Sequence, residues 1–391
     1  MAESNSDTNF SLLITAADKL YLIEAPDDIV ELLRNLIQRY WKSGLKDYYK
    51  ESELAHKFKL GGKPFRYDAK RTTRAAVGRF MLILFEELVR RNWYFVLCSS
   101  KAMKDEPWIE SEDRIADGHF YKFEGSAWNS NDFEQSAKTE ARPQLNLMMM
   151  ALTGRDSVRL VFGEDDYSDS SQIISIVKHC ILENWSAGVE RETVQGCHTD
   201  FKLSGSPWGM HKDESQSYNG RCLLLKLLQT LLNTGWTLYK AFDILVALEE
   251  QNTKSFLVLK RCTPVVNLPH TCVQLWDTNE IRLIQTDNQL IKTTRASIMN
   301  YWPFEIQREG PIFTQGKVSS YGFTLSKDPW QMKTEKMILS TRLLSHLLED
   351  YRSLGWTVVA SLELSVSNLA IGYTPDNRQN WIMVCDHQMV G

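Results

Sequence analysis

Residues 56–65 read HKFKLGGKPF, residues 200–208 read DFKLSGSPW and residues 322–330 read GFTLSKDPW. Alone, the first has the outline of a phosphate loop: a strand-like run, paired glycines and a lysine. A Walker loop needs GxxxxGK followed by Ser or Thr, so that backbone amides surround the phosphates and a hydroxyl meets the metal. Here Lys63 is followed by Pro64, and the corresponding places in the other stretches hold Ser206 and Asp328. An aspartate in the lysine's place does not suit a phosphate cradle. The element is therefore read as scaffolding. Pro64, Pro207 and Pro329 end a strand and set φ for a turn, and Phe65, Trp208 and Trp330 cover a core edge.

Working outward, the surroundings recur as well. Upstream of each stretch lies a hairpin-like pair of apolar runs: NFSLLITAADKLYLIE (9–24), LNLMMMALTGRDSVRLVF (145–162) and TCVQLWDTNEIRLIQ (271–285). A helix follows each, opening on an expected N-cap residue (Asp27 or Asp28, Ser170, Thr293 or Thr294) and closing on Trp41, Trp185 or Trp302. Downstream comes a more hydrophobic helix, RFMLILFEELVRRNW, RCLLLKLLQTLLNTGW or TRLLSHLLEDYRSLGW, which the sequence marks as the centre of each unit. Gly235 and Gly355 precede Trp236 and Trp356, and Asn92 precedes Trp93. Glycine first and asparagine second are the residues that end a helix in the left-handed conformation, so this position expresses a backbone requirement. Two strands complete the unit.

Spacing supports the triplication. Phe58 and Phe201 are 143 residues apart, as are Trp93 and Trp236; Phe201 and Phe323 are 122 apart, and Trp236 and Trp356 are 120 apart. The expected fold is α+β: three tandem modules, each β-β-α-β-α-β-β with a mostly antiparallel sheet and two helices on one face. The expected boundaries are module 1 at 8–124, a polar linker at 125–143, module 2 at 144–262, a short linker at 263–269 and module 3 at 270–391. At that size each module is expected to hold its own core.

Composition bounds the function. The 391 residues are 43% hydrophobic and 24% charged, an ordinary globular balance, with net charge −4. Bulk attraction to nucleic acid or an anionic membrane is not favoured by that charge, so nucleic acid is the less expected partner and any anion site must be local. Seven cysteines, with no CxxC pair, point to a reducing compartment, and an intracellular, cytoplasmic location is expected. The N-terminal MAESNSDTNF lacks the pattern of a secretory signal, and no apolar run reaches the length of a membrane span.

Chemistry-bearing motifs are few. From Lys57 to Arg74 seven cations, Lys57, Lys59, Lys63, Arg66, Lys70, Arg71 and Arg74, face one acid, Asp68. Such a cluster attracts phosphates or acidic lipid headgroups, or it is a solvated loop balanced by the acidic stretch 104–113. Arg79, Arg221 and Arg342 lie 14 or 15 residues before the closing tryptophan of each module, where they either pair with a neighbouring element or line equivalent ligand sites. Cys197, His198, His211 and Cys222 form the one Cys/His concentration, without zinc-ligand spacing, so no metal and no cofactor is expected. No nucleophile elbow, zincin, kinase or dinucleotide signature is present, which weighs against an enzyme. The expected function is that of a non-catalytic adaptor or scaffold presenting tandem surfaces to protein partners. Anion recognition by module 1 and an unfamiliar enzyme with a site between modules are the alternatives.

Overall fold

A computed structural model of the protein describes residues 9–15, 18–65, 71–99, 115–123, 147–163, 167–195, 198–208, 214–243, 255–314, 317–330, 334–363 and 379–385. The architecture is α+β, with three six-stranded antiparallel sheets and, among the described residues, six helices. The first module contains β1 (Asn9–Thr15), β2 (Lys19–Ile23), α1 (Asp27–Tyr40), β3 (Leu45–Ser52), β4 (Ala55–Leu60), α2 (Arg71–Arg90), β5 (Trp93–Ser99) and β6 (Ile115–Phe123). The second contains β7 (Leu147–Thr153), β8 (Ser157–Phe162), α3 (Tyr167–Asn184), β9 (Val189–Gln195), β10 (His198–Leu203), α4 (Glu214–Asn233), β11 (Trp236–Asp243) and β12 (Ser255–Arg261). The third contains β13 (His270–Trp276), β14 (Glu280–Ile284), α5 (Asn288–Tyr301), β15 (Ile306–Thr314), β16 (Lys317–Leu325), α6 (Thr334–Ser353), β17 (Trp356–Glu363) and β18 (Gln379–Cys385). Strand order is the same in all three sheets: β3-β4-β2-β1-β6-β5 and its counterparts.

Each module holds one strand more than the sequence marked, because β3, β9 and β15 were passed over. These strands form a sheet edge, and β3 (LKDYYKES) and β9 (VERETVQ) are largely exposed and charged. Charge on an edge strand blocks pairing with foreign strands, and it also erases the alternation by which a strand is recognised. All three first-helix starts differ from expectation. Pro26 takes the cap position of α1 without a side-chain cap, and Asp27 and Asp28 fall in its first turn. Asp287 caps α5, its Oδ1 accepting the Leu290 N–H at 2.7 Å, so the helix begins more than a turn before Thr293. Thr294 is instead buried within it, donating its hydroxyl to the Leu290 carbonyl at 2.7 Å. Ser170 likewise lies inside α3.

Indole hydrogen bonds fasten the repeated turn after β4, β10 and β16, two of them in the second module and one in each of the others. Trp41 and Trp185 donate their indole N–H to the carbonyls of Gly61 and Ser204, both at 2.9 Å. Trp208 and Trp330 reach back to the carbonyls of Ser157 and Glu280 at 3.2 and 3.3 Å. The helix exits also agree with the sequence: Asn92, Gly235 and Gly355 have φ of 60°, 87° and 83°.

The modules do not keep separate cores. Leu12, Leu20, Leu22 and Phe58 of the first sheet cluster with α1 and α2, and the same cluster includes Leu147, Met149, Ala151, Val161, Phe256 and Val258 of the second sheet. The second cluster likewise takes in Cys272, Ile284, Ala360, Leu362 and Ile382 of the third. The three sheets and their helix layers are therefore stacked, with α2 filling the space between the first and second sheets and α4 that between the second and third. A sheet covered on both faces loses the polar half of its alternation. Accordingly β7 and β13 are buried along nearly their whole length, whereas β2 and β4 alternate between buried and half-buried residues.

Candidate interaction surface

Ladder register fixes which positions correspond. Leu20 pairs with Phe58, Val158 with Phe201 and Ile281 with Phe323, all facing their own module's helices. One residue along, on the opposite face, stand Tyr21 and Lys57 in the first sheet, Arg159 and Asp200 in the second, and Arg282 and Gly322 in the third. By the same register Ser11, Leu13 and Ile23 correspond to Met149, Ala151 and Val161, and to Cys272, Gln274 and Ile284.

These equivalent faces meet different fates. In the second sheet Arg159 and Asp200 form a bidentate pair beneath α2, with Nε–Oδ1 at 2.6 Å and Nη2–Oδ2 at 3.1 Å and both side chains no more than 5% exposed. In the third, Arg282 pairs with Glu280 at 2.8 Å and lies 4.5 Å from the centre of the Trp276 ring. None of the described helices covers this outer face of the first sheet. There Ser11, Leu13, Lys19, Tyr21, Ile23, Lys57 and Lys59 are each half-buried, without a described helix over them. The stack therefore begins on an aliphatic and aromatic stripe of Leu13, Tyr21 and Ile23, bordered by lysines.

The cations singled out in the sequence divide accordingly. Lys57 and Lys59 lie on this outer face, and Lys63 is exposed at the following turn with φ of 48°. Lys57 pairs with Glu51 at 2.7 Å and stands 5.5 Å from the centre of the Tyr21 ring; the Glu51 carboxylate holds its ammonium above the ordinary lysine range. Arg66 and Lys70 lie outside the described residues, as do Asp68 and the acidic stretch 104–113. Arg71 and Arg74 belong to the first turn of α2, and only their backbone is described. Leu13, Tyr21 and Ile23 were not singled out from the sequence. Residue order carries little signal, since NFSLLIT and SVRLVF set polar and apolar residues in the same sequence; the difference lies in burial, alternating along KLYLI and nearly continuous along SVRLVF.

The three helix arginines do not share one position. Arg79 and Arg342 are each the ninth residue of their helix, whereas Arg221 is the eighth, and one residue turns a side chain by about 100° around the axis. The eighth position faces the next sheet. At Gly78 a Cβ would lie 3.4 Å from Met149 Sδ; Arg221, fully buried, donates from Nε to Asn380 Oδ1 at 3.3 Å and from Nη1 to the Ser217 carbonyl at 3.0 Å. In α6, which has no sheet beyond it among the described residues, Thr341 and Arg342 are both exposed.

A cleft of about 580 Å³ opens where the second and third modules meet, lined by Tyr218 of α4, Gln285, Asn288, Lys292 and Arg295, with Tyr321 of β16. Arg295 is held by Glu309 at 2.7 Å and by the Tyr321 hydroxyl at 3.1 Å, and burial pushes the Tyr218 phenol up. The described lining includes no histidine, cysteine or carboxylate that would serve as a base or nucleophile. Burial also raises the thiols of Cys180 and Cys222 and pushes that of Cys272 up to about 12, the reverse of an activated cysteine. Cys197 and His211 lie outside the described residues. Among those described, no group of three or more His, Cys, Asp or Glu is placed to hold a metal, and no helix is long and apolar enough to cross a membrane.

Comparison with curated proteins finds no match to this chain. A single domain-family model matches it three times, over residues 8–107, 146–258 and 269–384, one match within each module, the first ending before β6. The chain belongs to that domain family and carries its domain as three tandem copies.

Proposed function

We propose that the protein is a non-catalytic interaction protein, an adaptor whose stacked modules offer surface to protein partners, with the outer face of the first sheet as its docking surface. One observation carries this reading. Leu13, Tyr21 and Ile23 are only half-buried at positions whose counterparts in the second and third sheets lie beneath helices. A stack that merely ended there would carry a polar face, as terminal units of repeat proteins do. Retained apolar residues rimmed by lysines describe a binding surface instead. Pairing of Lys57 with Glu51 counts against a phosphate pocket at this face, and the described lining of the cleft between the second and third modules holds no histidine, cysteine or carboxylate.

The test is proximity labelling in cells with the full chain and with a Leu13→Asp/Ile23→Asp variant. Loss of a defined set of labelled proteins in a variant that keeps its circular dichroism spectrum is expected. An unchanged set would remove this face from consideration.

A further inference from the structure

We infer that the outer face of the first sheet receives an amphipathic helix of a partner protein, about 20 residues long, with carboxylates beside its apolar stripe. The inference rests on the reading of this face as a docking surface and specifies its occupant. The molecule contains two precedents for that occupant. Helices α2 and α4, each 20 residues, cover the equivalent faces of the second and third sheets. They do so with residues spaced i, i+4, i+7 and i+11: Gly78, Leu82, Phe85 and Val89 in one, Arg221, Leu225, Leu228 and Leu232 in the other, all buried. Val161 and Ile284, which those helices cover, occupy the place that Ile23 holds in the first sheet.

Charge decides what kind of helix. Where Asp200 neutralises Arg159 in the second sheet, the first has Lys57 beside Tyr21, paired with Glu51, and Lys19 opposite Lys59 two residues along the ladder. The described side chains of this face set Lys19, Lys57 and Lys59 against Asp47 and Glu51 of β3, a net positive charge. A carboxylate on the covering helix also has a precedent, since Glu86 of α2 accepts the Leu147 N–H of the second sheet at 3.4 Å. A second copy of this chain is a poor occupant. Its outward helix face, on α6, presents Thr341, Ser345 and Arg352 at the equivalent spacing, with Arg342 alongside, which sets cation against lysine.

The experiment measures fluorescence anisotropy of the full chain with two labelled 20-residue helical peptides. Both carry leucine at i, i+4, i+7 and i+11; one has glutamates flanking that stripe and the other lysines. Saturable binding of the glutamate peptide, at least tenfold tighter than the lysine peptide and weakened by salt, is expected. Lys57→Glu/Lys59→Glu should reverse the preference, which simple misfolding would not do, and Ile23→Asp should abolish binding of both.

Equal affinity for the two peptides, or no binding by either, overturns the proposal. So does a concentration-dependent dimer in sedimentation velocity that Ile23→Asp dissolves, which would make the occupant a second copy. Retention on phosphatidylserine vesicles without any peptide preference would assign the face to anionic lipid and overturn it as well. If neither peptide binds while the Leu13→Asp/Ile23→Asp variant still loses its labelled partners, the docking surface stands and the helical occupant falls.

Discussion

Arg221 of α4 and Asn380 of β18 meet across the boundary between the second and third modules, Nε 3.3 Å from Oδ1, with both residues fully buried. Asn380 is fixed in turn by donating to the Leu362 carbonyl at 3.2 Å. A buried guanidinium deprived of an acceptor carries its desolvation cost uncompensated, so Asn380→Leu is expected to destabilise the protein by about 3 kcal/mol or more. Arg221→Met/Asn380→Leu removes both polar partners and should regain most of that loss. Urea unfolding of the two single variants and the double variant gives the coupling. Simple additivity would mean that the two residues do not act together.

His270, at the start of the third sheet, gives the stack a pH dependence. Its Nδ1 lies 2.8 Å from the Leu268 carbonyl, and burial lowers its pKa below the ordinary histidine value. The folded state therefore favours the neutral ring. Above about pH 6.5 folded and unfolded chains are both neutral there and the full contribution is present. As pH falls through that value the unfolded chain takes up the proton first, and stability declines until the folded pKa is passed. His270→Asn should flatten the difference between stabilities measured at pH 7.5 and pH 5. An unchanged acid-side slope would place its origin in other groups.

Gly220 stands where α4 passes the turn that follows β10. A Cβ there would lie 2.1 Å from the Pro207 carbonyl oxygen, a backbone atom that cannot swing aside. Gly220→Ala is expected to cost about 1–3 kcal/mol by forcing helix and turn apart. Gly78→Ala is the control, because its Cβ would meet Met149 Sδ at 3.4 Å, an ordinary contact with a flexible side chain. Thermal melts should show a clearly larger loss for Gly220→Ala. Equal losses would point to helix flexibility in place of the Pro207 contact.

Triplication was legible because it is written in residues with one-dimensional signatures: the Trp93, Trp236 and Trp356 spacing, and Asn92 standing in for Gly235 and Gly355. The edge strands β3 and β9 were not legible, since exposure on both faces leaves no apolar period to read. Stacking was written in the sequence but in a less obvious form. An unbroken run such as LMMMALT satisfies a strand buried on two faces, and that second face implies a neighbour which the expectation of one core per module did not supply. The same contrast locates the candidate surface. Lys57 and Lys59 stood out as charge, while Leu13, Tyr21 and Ile23 acquire meaning only once Ala151, Arg159 and Val161 are seen beneath α2.

The two helices α4 and α6 show how the stack is continued or ended. Along the face turned toward a following sheet, α4 carries Leu225, Leu228 and Leu232, all less than 8% exposed; α6 carries Ser345, Leu348 and Arg352 at the same places, with Ser345 and Arg352 exposed. A chain shortened to residues 1–268 would lack the third sheet and so uncover the α4 leucines that it covers. It is expected to self-associate, since apolar area removed from water contributes about 25 cal/mol per Å² and its re-exposure drives aggregation. Leu225→Ser/Leu232→Arg, which copies the α6 pattern, should return the shortened chain to a monomer in sedimentation velocity. In the full-length chain the same substitutions should instead cost about 3 kcal/mol or more, because there they place a hydroxyl and a guanidinium against Cys272, Ile284 and Ile382. Opposite signs in the two backgrounds are the signature of a capping face, and loss of stability in both would mean that these leucines act chiefly within the second module.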